Sequence, residues 1–172
     1  MRLVGVEVLL VLLLATSGGG STRRPTDLVV GIGADDLSIG HATRKRAAAV
    51  LVEAWAPTSW RRFRPLVGVQ ANRRGAVLAY GGGLYDLPIG PRVAVTPSLA
   101  AGGYVAGRGR DLGHTAEFRT AIQVSYRLPD ESRLGVQAQH VSNANLGGGN
   151  NMGAESLFLT WSPSRSRGAA GR

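Results

Sequence analysis

The chain has 172 residues, suited to one domain, and carries 20 Lys and Arg against 11 Asp and Glu, a formal charge of +9. That balance favours an anionic partner such as nucleic acid, a phosphorylated lipid surface or an acidic protein, with solvated basic loops as the plainer alternative. The absence of cysteine excludes a disulfide framework, a thiol nucleophile and a lipoprotein anchor.

The first element is a leader. Arg2 precedes an apolar run from Val4 to Ala15, broken only by Gly5 and Glu7, and "ATSGGGS" follows with Ala15 and Ser17 spaced like the small residues of a cleavage site. Residues 1–17 therefore read as a signal peptide with cleavage near Ser17 or a few residues later, and a retained N-terminal anchor is the alternative. The run is short of the roughly 20 residues a spanning helix needs. No long apolar helix follows, so a mature chain embedded in a membrane would have to be a barrel.

From Asp27 the apolar residues recur with a period of two rather than 3.6. Eight strand-like runs follow in order, over 28–35, 47–56, 63–72, 76–87, 92–106, 116–128, 133–143 and 155–161. Turn chemistry separates them: "RRG", "PIGP", "GRGRDLGH", "PDES" and "NLGGGNNMG". Several runs reach the ~9–11 residues that cross a bilayer when tilted. Gly81 to Gly83 interrupt the fourth run. Pro97 interrupts the fifth, and because a closed barrel has no edge to hide a proline, a bulge is expected there. Residues 162–172, "SPSRSRGAAGR", show no periodicity and read as a disordered basic tail.

The alternation sorts the faces. In the sixth run Phe118, Thr120, Ile122, Val124 and Tyr126 share one parity, while Glu117, Arg119, Gln123, Ser125 and Arg127 share the other. Leu134, Val136 and Ala138 likewise oppose Gln137 and Gln139 in the seventh. Parity alone does not say which face is inside, and a soluble lipocalin-type barrel would reverse the assignment. The even strand count, the leader and the Arg, Glu and Gln on one face favour polar inside and apolar outside. The fold expected over 27–161 is an all-β, eight-stranded antiparallel transmembrane barrel, with Trp55, Tyr126 and Trp161 at the membrane interfaces.

On this reading "LGVQAQHVSNANLGGGNNMGAESLFLTW", residues 134–161, raises a question. His140 and Ser142 carry the lipid-facing parity of Leu134 and Val136, and Glu155 carries that of Leu157 and Leu159. If the hairpin pairs about its loop centre, His140 falls opposite Glu155, where cross-strand Cβ atoms lie ~4.5–5.5 Å apart. His140 and Ser142, at i and i+2, are ~7 Å apart. A serine needs a base to become nucleophilic, and that histidine needs a third group to hold its tautomer. One hairpin offers all three. The bland alternative is a polar membrane rim, although ionisable groups on a lipid face carry a free-energy cost. The loop between, with Asn143, Asn145, Gly147 to Gly149, Asn150, Asn151 and Gly153, supplies amides suited to an oxyanion or simply a flexible turn.

The "HVSNAN" stretch, the Asn/Gly loop and the glutamate leading the last strand resemble the PagL family of lipid A 3-O-deacylases. The similarity extends upstream to "EFR…SYRL", with Phe118 lying 22 residues before His140, and covers roughly Glu117 to Trp161. The resemblance implies an eight-stranded barrel in the outer membrane of a Gram-negative bacterium. That barrel would hydrolyse the acyl ester at position 3 of lipid A as a serine esterase, without metal or other cofactor. It would make Ser142 the nucleophile, His140 the general base and Glu155 the group that orients it. Asn151 or nearby amides would stabilise the oxyanion, Asn143 would support the site, and Phe118 would line the acyl-chain path. Lipopolysaccharide is the implied partner; monomer and homodimer both stay open. With the N-terminus in the periplasm, the seventh strand ends at the outer leaflet, where lipid A resides.

His41 and His114 lack ligand sets at metal spacing and read as loop or strand-end histidines. The basic clusters at 43–46, 61–64, 73–74 and 108–110 suit solvated turns or lipid phosphates. A nucleic-acid partner sits badly with a secretion signal. The rival function is a non-catalytic barrel, structural or adhesive.

Overall fold

The computed structural model of the protein describes residues 26–37, 46–57, 61–146 and 153–164. The expected leader over 1–17, His41, the loop residues Gly147 to Asn151 and the tail from Arg165 lie outside the described residues. The strands are β1 (Asp27–Asp35), β2 (Ala47–Trp55), β3 (Phe63–Asn72), β4 (Val77–Tyr85), β5 (Leu87–Pro88), β6 (Val93–Val105), β7 (Ala116–Arg127), β8 (Arg133–Ser142) and β9 (Ala154–Ser162). Apart from the two-residue β5, each long strand pairs antiparallel with its neighbours in sequence. β1 also pairs with β9, which closes eight staves into a barrel.

The period-two pattern works as a wall. Ile32, Val50, Leu99, Ile122, Val136 and Leu159 project outward and stay exposed. Glu53, Gln70, Arg119, Gln123, Gln137, Gln139 and Thr160 project inward and are buried. Apolar outside and polar inside is the arrangement a barrel needs in lipid, because closure satisfies the backbone and the lumen satisfies the polar side chains.

The lumen is filled rather than open. Glu53 stands at its centre: its Oε1 accepts from Arg119 Nη2 at 2.6 Å and from Tyr80 OH at 2.7 Å. Its Oε2 accepts from Trp55 Nε1 at 2.7 Å. Arg119 lies 4.5 Å over the Tyr80 ring and also donates to Gln139 Oε1 and Ser98 Oγ. Gln139 in turn donates to Gln70. A buried ion pair gains its worth from such satisfaction of the remaining donors and acceptors.

Trp55 is not an interface aromatic; it shares the parity of Glu53, points into the lumen and is buried. Its indole N–H is the reason, since the Glu53 carboxylate supplies the partner a buried indole requires. Among the described residues, the exposed aromatics at that end are Tyr85, Tyr126 and Trp161. Nor does Pro97 create a bulge. The β6–β7 register runs without an extra residue through Pro97↔Ile122. On the other side the ladder lapses opposite Thr96 and Pro97, between Leu84↔Ser98 and Leu87↔Val95. The missing N–H thus falls where no partner strand asks for it. Asp86 fills the gap, accepting from Thr96 Oγ1 at 3.1 Å and from Arg133 Nη1 at 3.0 Å, which splits the expected run over 76–87 into β4 and β5.

Gly81 to Gly83 remain within β4. At Gly82 a Cβ would come within 2.1 Å of the Leu99 carbonyl oxygen, so the β4–β6 seam approaches too closely for any side chain.

Candidate active site

A tight turn sets the hairpin that presents the site. In residues 128–132, Leu128 N–H donates to Ser132 O at 2.8 Å, and the Asp130 carboxylate accepts from the Ser132 N–H and hydroxyl at 3.1 and 2.7 Å. These bonds hold the Asp130 carboxyl below its ordinary range. The turn fixes Arg127↔Arg133, and the register then runs unbroken to Phe118↔Ser142. One slipped residue would turn every side chain of β8 to the other face.

On the far end of that hairpin, His140 and Ser142 keep the outward parity of Leu134, Val136 and Ala138. β9 pairs with β8 so that His140 faces Glu155, and His140 Nδ1 lies 3.4 Å from Glu155 Oε1. Both side chains are partly exposed, at 47% and 33%, on the outer wall. Thr120 is the cross-strand neighbour of His140 on the opposite side. Phe118 directly faces Ser142, and the same row continues to Ala101 and Gly81.

No hydrogen bond joins Ser142 to His140 in this structure. Successive outward side chains on one strand stand ~7 Å apart at Cα, and bonds between catalytic groups often tighten only when substrate is bound. Of the two imidazole nitrogens, Nδ1 lies toward the Glu155 carboxylate and Nε2 beside Gly153.

Asn143 behaves differently from its neighbours. It is inward and buried, its amide Nδ2 donates to Leu112 O at 2.7 Å, and its Oδ1 accepts from Asn145 N–H at 2.8 Å. Ala144 and Asn145 follow with φ of 49° and 65°, a left-handed reversal that the Asn143 side chain braces. It thus ties the chain just past Ser142 to the 106–115 loop rather than facing the outer wall. Asn151 lies outside the described residues. His114 is a strand-end residue, its Nδ1 accepting from Ala116 N–H at 2.9 Å. Among the described residues no group of His, Asp and Glu is arranged to hold a metal.

Sequence reading counted Gly153 only as a loop amide. A Cβ placed on it would lie 2.1 Å from His140 Cε1 and 2.7 Å from Nε2, so the imidazole rests against bare backbone. Nothing in a local pattern signals this, because the contact depends on the β8–β9 register. Gly153→Ala is expected to push the ring off its line to Glu155 and lower turnover about 10- to 100-fold, since ~1 Å of misplacement is worth that much. Steady-state kinetics, together with unchanged heat-modifiable migration, would check it.

A family model described as lipid A 3-O-deacylase (PagL) matches residues 50–163. Among solved structures, the chain is similar to the crystal structure of the outer membrane enzyme PagL, with a TM-score of 0.57 and 18% identity over 81% of this chain and 99% of that one. It is also similar to a structure from the de novo design of transmembrane β-barrels, with a TM-score of 0.56 and 12% identity over 82% and 97% of the two chains. At such identities these likenesses speak for the fold. No curated protein matches in sequence.

Proposed function

The chain belongs to the lipid A 3-O-deacylase (PagL) family, and from that premise we propose that it is an outer-membrane ester hydrolase whose work is done by Ser142, His140 and Glu155. The observation that carries this reading is the placement of His140 opposite Glu155, 3.4 Å apart on the apolar outer wall with Ser142 beside them. A non-catalytic barrel has no use for ionisable groups there, where lipid makes them costly. A lipase acting on a membrane component does, because the ester already lies in the same layer.

Ser142 Oγ attacks the carbonyl carbon of the acyl ester at position 3 of lipid A, and its proton passes to His140 Nε2. Glu155 holds the other ring nitrogen and offsets the charge of the imidazolium, an attraction strengthened where lipid lowers the dielectric. Loop amides, with Asn151 the favoured donor, stabilise the oxyanion, while Asn143 braces the loop from inside. Collapse breaks the ester C–O bond, and the sugar oxygen leaves with the proton from His140. Water, deprotonated by the same imidazole, then releases the fatty acid and regenerates Ser142. Phe118, facing the nucleophile, lines the path of the chain. The expected leader over 1–17 would deliver the protein to this membrane, and the N-terminus in the periplasm would set Ser142 at the outer leaflet.

Glu155→Ala should test the orienting role. Turnover is expected to fall about 10²- to 10³-fold with little change in KM, because the carboxylate acts mainly as charge develops on the ring. Deacylation kinetics on lipid A in mixed micelles would measure it; an equal rise in KM with unchanged kcat would point to binding instead.

A further inference from the structure

The end of the barrel away from Ser142 carries a second built feature. An open cleft of about 200 Å³ lies between the 86–92 segment and the ends of β7 and β8, lined by Arg62, Arg92, Arg127 and Arg133 with Asp86 as the carboxylate among them. Arg133 is committed to Asp86 through both carboxylate oxygens, each at 3.0 Å. The other three arginines are not neutralised in this way. Arg127 reaches only the exposed Glu131, at 3.5 Å. Arg62 makes no ion pair among the described residues, and Arg92 donates to a neutral group, Tyr126 OH, at 3.3 Å.

The backbone presents these charges at a cost. Arg61 and Arg62 are successive non-glycine residues at φ of 41° and 69°. Such left-handed positions are unfavourable for long side chains and persist where surroundings or function hold them. The cleft also reaches the lipid-facing wall. Val93 lines it and is exposed outward, and Tyr126, which Arg92 touches, is one of the aromatics at this rim with Tyr85 and Trp161.

We propose that this cleft binds the phosphate of an anionic phospholipid head group from the leaflet opposite the active site, between Arg62, Arg92 and Arg127. Guanidinium groups match phosphate oxygens with paired, charge-assisted hydrogen bonds. Anionic head groups are drawn to such basic rims, and the aromatic girdle leaves the acyl tails against the outer wall. A free phosphate shares the chemistry but has no use for the contact with Val93 and Tyr126. The leaflet assignment rests on the reading that Ser142 faces lipid A; the binding does not.

The full chain, purified in detergent, is offered three probes and examined by native mass spectrometry: phosphatidylglycerol, a phosphate-free diacylglycerol and inorganic phosphate. One phosphatidylglycerol is expected to stay bound, and diacylglycerol is not. The Arg62→Gln/Arg92→Gln/Arg127→Gln variant should retain it about tenfold less well or worse. Should that variant not fold, Arg62→Gln alone, on an exposed turn, is expected to weaken retention in the same direction. Equal retention by variant and wild type, or equal binding of diacylglycerol, overturns the proposal. Capture of inorganic phosphate without phosphatidylglycerol overturns the head-group assignment. The arginine variant should still deacylate lipid A, and Ser142→Ala should still hold phosphatidylglycerol, so failure of either site is seen separately. Because the chain lacks cysteine, Pro129→Cys in the neighbouring turn gives a clean probe of sidedness. Labelling by an impermeant maleimide only after permeabilisation is expected; labelling in intact cells overturns the leaflet assignment.

Discussion

Ser142→Ala is expected to lower deacylation by about 10⁴-fold or more while the barrel folds as before. The magnitude follows from the role proposed for the hydroxyl: without a nucleophile no covalent intermediate would form, and only positioning and oxyanion stabilisation would remain. The fold should not notice. Ser142 is an outward, half-buried residue at the end of β8, away from the buried polar network of the lumen. Heat-modifiable migration and urea stability of the variant should therefore match wild type. A variant that kept a tenth or more of the activity would remove Ser142 from the role of nucleophile.

The second large effect concerns the lumen. Glu53→Ala is expected to destabilise the barrel by about 3–5 kcal/mol, the cost of leaving a buried charge without its partner. Arg119, 1% exposed at its side chain, would keep Gln139 and Ser98 but lose its counter-charge, and the Trp55 N–H and Tyr80 O–H would lose their acceptor. Urea unfolding in lipid vesicles, followed by tryptophan fluorescence, gives the comparison. The double variant Glu53→Ala/Arg119→Met should recover part of the loss, because it removes the orphaned guanidinium as well. Two single losses that simply add would mean that the pair is not coupled.

The activity should respond to these lumen changes only through stability. Arg119 is inward, and its register partner Val141 is the buried residue between His140 and Ser142. The wall separates the structural network from the outward row by the alternation of one strand. That separation lets a small barrel carry a rigid polar filling on the same staves as the outward row proposed to be reactive.

Much of this was legible in the sequence because it depends on period two. The eight staves, the sorting of polar from apolar faces and the shared parity of His140, Ser142 and Glu155 with the apolar face follow from counting residues. Turning that face outward also took the leader and the charged residues of the other face. The pairing of His140 with Glu155 needed only a hairpin closing about its loop. What escaped depends on partners distant in sequence. Trp55 sits near a strand end like an interface aromatic, yet its indole turns inward to Glu53. Pro97 looked incompatible with a closed ladder until the lapse at Asp86 removed the demand for its N–H. Asn143 reads as a neighbour of Ser142, but its amide is spent on Leu112 O, across a contact between two loops. Gly153 could not be distinguished from the other loop glycines until the imidazole was found lying against it.

The most direct measurement is mass spectrometry of lipid A from a Gram-negative host without its own deacylase, expressing either the wild-type chain or Ser142→Ala. The wild type should shorten lipid A by the mass of one 3-hydroxyacyl chain lost from position 3, and the variant should leave it whole. Full-length lipid A in both strains, or the same loss in both, would contradict an outward-facing serine esterase.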